Sequence, residues 1–388
     1  MYDRAVLHMD LDSFFVSVEV LRNSDLKGKP LIIGGTSDRG VVSSCSYEAR
    51  RFGVHSAMPM KLARRLCPQA ILLRGDMDAY SKASREVTQV IEEEAPLYEK
   101  ASIDEFYLDL TGMDRYFGCY KWSTELREKV MRETGLPISF GLSVNKLVSK
   151  IGTGEAKPNG TKMVDRGAER DFLAPLSTAK IPSLGKETYK RLSFMGVRTI
   201  KVLSEVPVRL LEREFGKLGR QLSEKSRGLD NRPVVPYSER KSMSKERTFE
   251  KDTIDLKGIR SRLAAMALGL AFDLRQSGRL CSVVTVKIRY ADFNTYTRQR
   301  RIPYTANDRI LQRHVHELFD QLYERRQMIR LIGVKYSGLV GGHYQIDLFD
   351  DTITEVRLMQ QMDHIRNRFG SDAISWANAH NGNIRRTA

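Results

Sequence analysis

The sequence predicts a multidomain α/β (α+β) protein, on three observations. Its 388 residues exceed one ordinary core and divide into two to four domains. From residue 5 to about 165, short apolar strands alternate with helical periods, the pattern of an α/β layer with helices on one face. Beyond residue 241 the order becomes strand, helix, strand, strand, helix, strand, which is the split βαβ, ferredoxin-like series.

Each element has a local reason. Residues 5–11 (AVLHMDL) form a buried strand, and Asp12 or Ser13 is placed to cap the helix that follows. Apolar runs at 31–35 and 40–44 form a hairpin, with short helices at 47–52 and 59–66. Helical period returns at 80–94, a strand spans 102–110, a helix lies near 122–133, and a strand spans 138–144. Asn145 opens another helix, and the Glu155-Ala156-Lys157-Pro158-Asn159-Gly160 turn leads to a short strand at 162–164. Residues 177–203 are helical, broken at Ile181-Pro182-Ser183-Leu184-Gly185 and Met195-Gly196-Val197, a glycine hairpin whose helix start can offer backbone N–H groups to phosphate. Two prolines mark a linker at 233–241. The later series has strands at 243–251, 280–290, 295–303 and 331–339 and helices at 257–276 and 307–327. Residues 353–369 are again helical by period, as a packing helix or a partner site.

Composition narrows the function classes. No run of eighteen apolar residues exists and Met1-Tyr2-Asp3-Arg4 is no signal peptide, which predicts a cytoplasmic protein without a membrane partner. Cys45, Cys67, Cys119 and Cys281 are too scattered for a C-x-x-C metal site and read as reduced, buried thiols. The net charge of +16 is uneven. Residues 1–165 carry 23 basic and 23 acidic side chains, 166–232 carry 15 and 8, and 233–345 carry 21 and 11. A balanced first part beside a basic remainder separates chemistry from a grip on a polyanion. In the basic part, Lys287 and Arg289 alternate with apolar residues along one strand, and Arg298, Arg300 and Arg301 follow on the next. A sheet of that kind suits a nucleic-acid backbone.

Two acidic signatures carry the chemistry: Asp10 in HMDLDSFF and the Asp104-Glu105 pair in SIDEF, each in or after a strand-like stretch. Neighbouring strands would bring the three carboxylates together, and crowded carboxylates need a cation. Hard oxygen donors of this kind suit Mg²⁺, whose shell is completed by water and substrate phosphates. The expected reaction is two-metal phosphoryl transfer. Tyr47 and Arg50, three apart, share one side of a helical turn.

In order along the chain, MDLDSFF, SYEARRFGV, SIDE, GLSVNKLVSKIGTGEAKPNG, IPSLGKETYKRL and the basic βαββαβ region resemble the Y-family DNA polymerases, in their bacterial polymerase IV branch. The resemblance covers about residues 4–349. It implies a right-hand polymerase: a ferredoxin-like palm at 1–18 and 76–165, small fingers at 19–75, and a helical thumb with a helix-hairpin-helix at 166–232. A linker at 233–241, a little finger at 242–340 and a tail at 341–388 complete it.

Carried over residue by residue, the resemblance makes Asp10, Asp104, Glu105 and the Leu11 carbonyl the ligands of two Mg²⁺ ions, with Mn²⁺ the alternative. Asp10, Asp104 and Glu105 are the catalytic set. Ser44, Tyr47, Arg50 and Lys157 become contacts to the incoming dNTP, and Phe15 the steric gate under the deoxyribose, with Phe14 turned to the core. Lys287, Arg289, Arg298 and Arg300 become contacts to primer–template DNA. Gln345-Ile346-Asp347-Leu348-Phe349 resembles a bacterial sliding-clamp peptide, with Gln345, Leu348 and Phe349 as its anchors, although some forty residues follow it. The implied activity is low-fidelity, weakly processive translesion synthesis by a monomer. An inactive scaffold of the same family would be expected to lack one of the carboxylates, and all three are present. A palm-type nucleotide cyclase has no place for the basic domains.

Overall fold

The computed structural model describes residues 4–113, 118–237, 239–324, 326–342, 352–370, 373, 374, 376 and 377. The chain forms two compact units, residues 1–238 and 239–388. No helix among the described residues is long and apolar enough to cross a membrane.

In the first unit the order is β1 (Val6–Leu11), α1 (Phe14–Arg22), β2 (Leu31–Gly34), β3 (Val42–Cys45), α2 (Tyr47–Arg50), α3 (Met60–Leu66), β4 (Ile71–Leu73) and α4 (Met77–Glu94). There follow β5 (Tyr98–Lys100), β6 (Glu105–Asp109), α5 (Cys119–Thr134), β7 (Ile138–Ser143), α6 (Lys146–Ala156) and β8 (Thr161–Met163). Five helices close the unit: α7 (Glu169–Leu173), α8 (Lys186–Phe194), α9 (Ile200–Glu205), α10 (Val208–Phe215) and α11 (Lys217–Ser226). Side-chain caps fix several starts: Asp76 accepts from Ala79 N, Ser46 from Ala49 N and Asn145 from Val148 N.

The main sheet has the order β5-β6-β1-β7-β8, so β1 is central and buried. Its period of two sends Leu7, Met9 and Leu11 into a core shared with Val87 and Ile91 of α4 and Leu126 and Val130 of α5. His8 points the other way and meets Thr153 of α6. Helices therefore cover both faces, which corrects the one-face expectation. The approach of α6 depends on Gly141 in β7, where an added Cβ would lie 2.1 Å from Ser149 O and 2.5 Å from Thr153 N. Gly141→Ala is expected to cost about 1–3 kcal/mol through overpacking, read as a lower thermal midpoint of the full chain.

A smaller sheet, β3-β2-β4, packs its own core of Ile32, Val42, Val54, Met58 and Met60. The chain leaving α11 is strapped to the main sheet. Lys146 pairs with Glu99 at 2.6 Å and donates to Pro233 O at 3.3 Å, while Glu99 Oε2 accepts from Val235 N at 2.7 Å. Val234 is buried against Val6 and Tyr107.

The second unit runs β9 (Ser242–Thr253), α12 (Leu256–Gln276), β10 (Arg279–Tyr290), β11 (Thr295–Thr305), α13 (Asp308–Leu322), β12 (Ile329–Ser337), β13 (Val340–Gly341) and α14 (Thr352–Phe369). Its main sheet has the order β11-β10-β12-β9, with every neighbouring pair antiparallel, so both helical crossovers are split βαβ units. Helices α12 and α13 cover the face carrying Val284, Val286, Ile288 and Tyr290. Helix α14 is a packing helix: Met359 and Met362 are buried, and Arg275 holds Asp363 at 2.6 and 2.8 Å and Asp308 at 2.5 Å.

Candidate active site and nucleic-acid interface

Strand register assembles the acidic site. Asp10 at the end of β1 pairs across the sheet with Glu105 at the start of β6, and Leu11 N donates to Asp104 O at 3.1 Å. Each side chain already has a partner. The Lys157 ammonium, just past the end of α6, holds Asp10 Oδ1, donates to Leu11 O at 3.3 Å and lies 3.7 Å from Asp12 Oδ1. Lys150 of α6 pairs with Glu105 Oε2, and Ser102 Oγ donates to Asp104 Oδ1 at 2.6 Å. Among the described residues no three His, Cys, Asp or Glu side chains converge tightly enough to enclose a metal ion.

Electrostatics separates the two paired carboxylates. Burial pushes the Asp10 carboxyl up to about 6 against the pull of Lys157. The His8 ring and the Lys150 ammonium hold Glu105 down to about 2. His8 itself is driven down to about 4 by burial and is neutral near pH 7. Its Nδ1 lies 2.8 Å from Thr153 Oγ1, and its Nε2 is 3.8 Å from Glu105 Oε2. The donor set, three carboxylates and one strand carbonyl, with Asp10, Glu105 and the carbonyl already holding ammonium groups, fits a hard divalent ion by its chemistry.

Asp12 departs from the capping expectation, because Ser13 is the residue preceding α1 and no side chain caps the helix. Its carboxylate, 2% exposed, accepts instead from Asn159 N at 2.7 Å, Ser139 Oγ at 2.8 Å and Tyr47 Oη at 3.4 Å. Long-range donors on three other segments, α2, β7 and the turn after α6, outcompete the local N–H groups. Asp12 thereby joins α2 to the turn that carries Lys157. Burial, then the Asp12 charge, raises the Tyr47 phenol to about 12. The Arg50 guanidinium lies 4.7 Å from the Tyr47 ring centroid, and its Nε donates to Cys45 O at 3.3 Å. Ser44 is a buried residue of β3, opposite Ile33.

Phe14 and Phe15 diverge at the start of α1. Phe14 is 2% exposed in the core, whereas Phe15 is half-buried and stacks on Tyr80 with centroids 4.3 Å apart and planes at 11°. Tyr80 is fully buried, and its hydroxyl donates to Glu19 Oε1 at 2.7 Å. Sequence reasoning missed His8, Tyr80, Lys150 and Asn159. Lys150 had a signal, since it stands four residues after Lys146 on one helix and seven before Lys157.

In the second unit, pairing parity divides the basic residues. Lys287 and Arg289 lie opposite Thr297 and Thr295 on the face away from the helices, together with Arg301 and Lys335. Arg298 and Arg300 lie opposite Val286 and Val284, on the helix side. There Arg298 donates to Gln321 O at 3.1 Å and Arg300 pairs with Glu317 of α13. This corrects the expectation that all four arginine and lysine residues form one basic surface. On the open face Lys287 also pairs with Glu246 of β9. In the helical region Gly185 starts α8 without a side-chain cap, and Gly196 takes a φ of +82° in the turn before α9. The pentapeptide 345–349 lies outside the described residues.

Comparison with known proteins places this arrangement. The impB/mucB/samB family model matches residues 9–154, the C-terminal domain model of that family matches 240–348, and a model described as the DNA polymerase-iota thumb domain matches 179–230. A DNA polymerase IV of Dehalococcoides mccartyi (strain CBDB1) is 38% identical over 375 residues, covering 96% of each chain. One from Methanoculleus marisnigri is 38% identical over 344 residues, covering 87% of this chain and 95% of its own. A solved Y-family DNA polymerase chimera, Dbh-Dpo4(243-245)-Dbh, superposes with a TM-score of 0.76 at 26% identity, over 87% of this chain and 100% of that one.

Proposed function

The chain belongs to the polymerase IV branch of the Y-family and is a DNA-directed DNA polymerase, and we propose that it adds dNTPs to a primer 3′-hydroxyl by two-metal phosphoryl transfer in low-fidelity translesion synthesis. The observation that carries this reading is the register that sets Asp10 opposite Glu105 and beside Asp104 at a sheet end. Asp10, Asp104, Glu105 and the Leu11 carbonyl would hold two Mg²⁺ ions, which would supply acidification of the primer hydroxyl and charge neutralisation at the triphosphate and the leaving pyrophosphate.

The remaining work falls to the chain's own groups. Arg50 offers a planar fork to phosphate oxygens and Lys157 a point charge. Tyr47, tied to Asp12, sets the side of α2 that faces the nucleotide, and Ser44 extends that contact. Phe15, braced by Tyr80, excludes a 2′-hydroxyl by filling its place. In family terms the main sheet with α4–α6 is the palm, residues 19–75 are the fingers, 166–232 are the thumb and 242–340 the little finger. A cap as small as the fingers encloses a nascent base pair loosely, which supports modest selectivity and tolerance of damaged templates. Lys287, Arg289, Arg301 and Lys335 present the DNA-binding face of the little finger.

The test is extension of a labelled primer on a DNA template by the full chain with four dNTPs and Mg²⁺, repeated opposite a lesion. Short, distributive products that cross the lesion are expected. Absence of extension with primer–template binding intact would favour an inactive scaffold. Replacing Gln345 and Leu348 with alanine is expected to shorten products only in reactions containing a bacterial sliding clamp, because docking raises the local concentration at the primer end.

A further inference from the structure

We propose that Lys157 is an internal counter-cation of the metal site, seated on Asp10 and the Leu11 carbonyl until a nucleotide triphosphate draws its ammonium away. The proposal deepens the metal-site reading above and rests on it. The lysine holds two of the four oxygen donors assigned to the divalent ions, and Lys150 holds a third group, Glu105. A magnesium ion binds its oxygens at about 2.0–2.1 Å, which leaves no room for an ammonium on the same lone pairs. Ion and ammonium therefore compete for Asp10 Oδ1 and the Leu11 carbonyl.

The surroundings let the lysine move without its backbone. The turn that follows it is pinned where Asn159 N donates to the buried Asp12, while the ammonium itself hangs on a flexible four-carbon stem. Lys157 can leave Asp10 by rotating its own side chain, and a triphosphate gives it a new anionic partner. Metal and nucleotide thus become coupled through one residue: the nucleotide removes a competitor of the ion, and by reciprocity the ion frees a ligand of the nucleotide. Without nucleotide, apparent metal affinity is reduced by the fraction of molecules in which Asp10 is free of the lysine. If the ammonium is seated in nine of ten molecules, its removal tightens binding about tenfold.

The experiment is Mn²⁺ binding to the full chain without nucleotide, followed by electron paramagnetic resonance, for wild type, Lys157→Met, Lys157→Arg, Asp10→Asn and the Lys157→Met/Asp10→Asn double variant. Support consists of an affinity about tenfold tighter in Lys157→Met, return toward wild type in Lys157→Arg, and loss of the gain in the double variant. A purely structural lysine would give no tightening. Unchanged or weaker Mn²⁺ binding in Lys157→Met, with Asp10→Asn still abolishing the site, overturns the counter-cation role and leaves the metal-site reading standing. Mn²⁺ binding that ignores Asp10→Asn overturns that reading and the proposal together.

Discussion

Asp104→Ala is expected to slow nucleotide addition about a thousandfold while leaving primer–template binding near the wild-type level. Asp104 is partly exposed at the start of β6, and its described side-chain contact is with Ser102. Truncation therefore removes a carboxylate without opening a core, and surface changes of this kind usually alter stability by no more than about 0.5 kcal/mol. Metal ions contribute several kcal/mol of transition-state charge stabilisation. At 1.36 kcal/mol per tenfold, losing about 4 kcal/mol slows addition about a thousandfold. Single-turnover extension beside a gel-shift titration reads both quantities. Residual extension within tenfold of wild type would remove Asp104 from the catalytic set.

Phe15→Ala opens the sugar pocket, and the ratio of kcat/KM for a ribonucleotide to that for its deoxynucleotide is expected to rise by at least about a hundredfold. Discrimination by a clash disappears with the atoms that cause it, so the gain belongs to the ribonucleotide more than to the deoxynucleotide. Phe15 is half-buried against Tyr80, and Phe15→Leu preserves much of that packing. An intermediate ratio in Phe15→Leu ties the effect to ring volume. If alanine leaves ribonucleotide use at the wild-type level, the steric gate is elsewhere.

The parts of this fold legible from sequence are those set by local pattern. The apolar run of β1, the helical period of α4 and the strand–helix order of the second unit follow from periodicity, and the two acidic signatures stand at strand ends. Asn145, where the sequence places the start of a helix, caps α6. What escaped depends on distant partners. Asp12 looks like a helix cap in its own neighbourhood and is claimed by Asn159, Ser139 and Tyr47 instead. The parity of β11 is set by its pairing with β10, and a one-residue shift exchanges faces. Hence Arg301, rather than Arg300, joins Lys287 on the open side. Gly141 is a sequence trace of α6 lying against the second face of the sheet, and a lone glycine in a strand announces a close neighbour without naming it.

The strap formed by Glu99, Lys146 and Val235 shortens the covalent leash between the units. With Pro233, Val234 and Val235 fastened to the sheet, and Arg279 of the second unit donating to Arg240 O at 3.1 Å and pairing with Glu239 at 3.9 Å, residues 236–238 lie between the two sets of fastenings. Fully extended, three residues reach about 10 Å. Loss of the strap would add residues 233–235 to that free stretch.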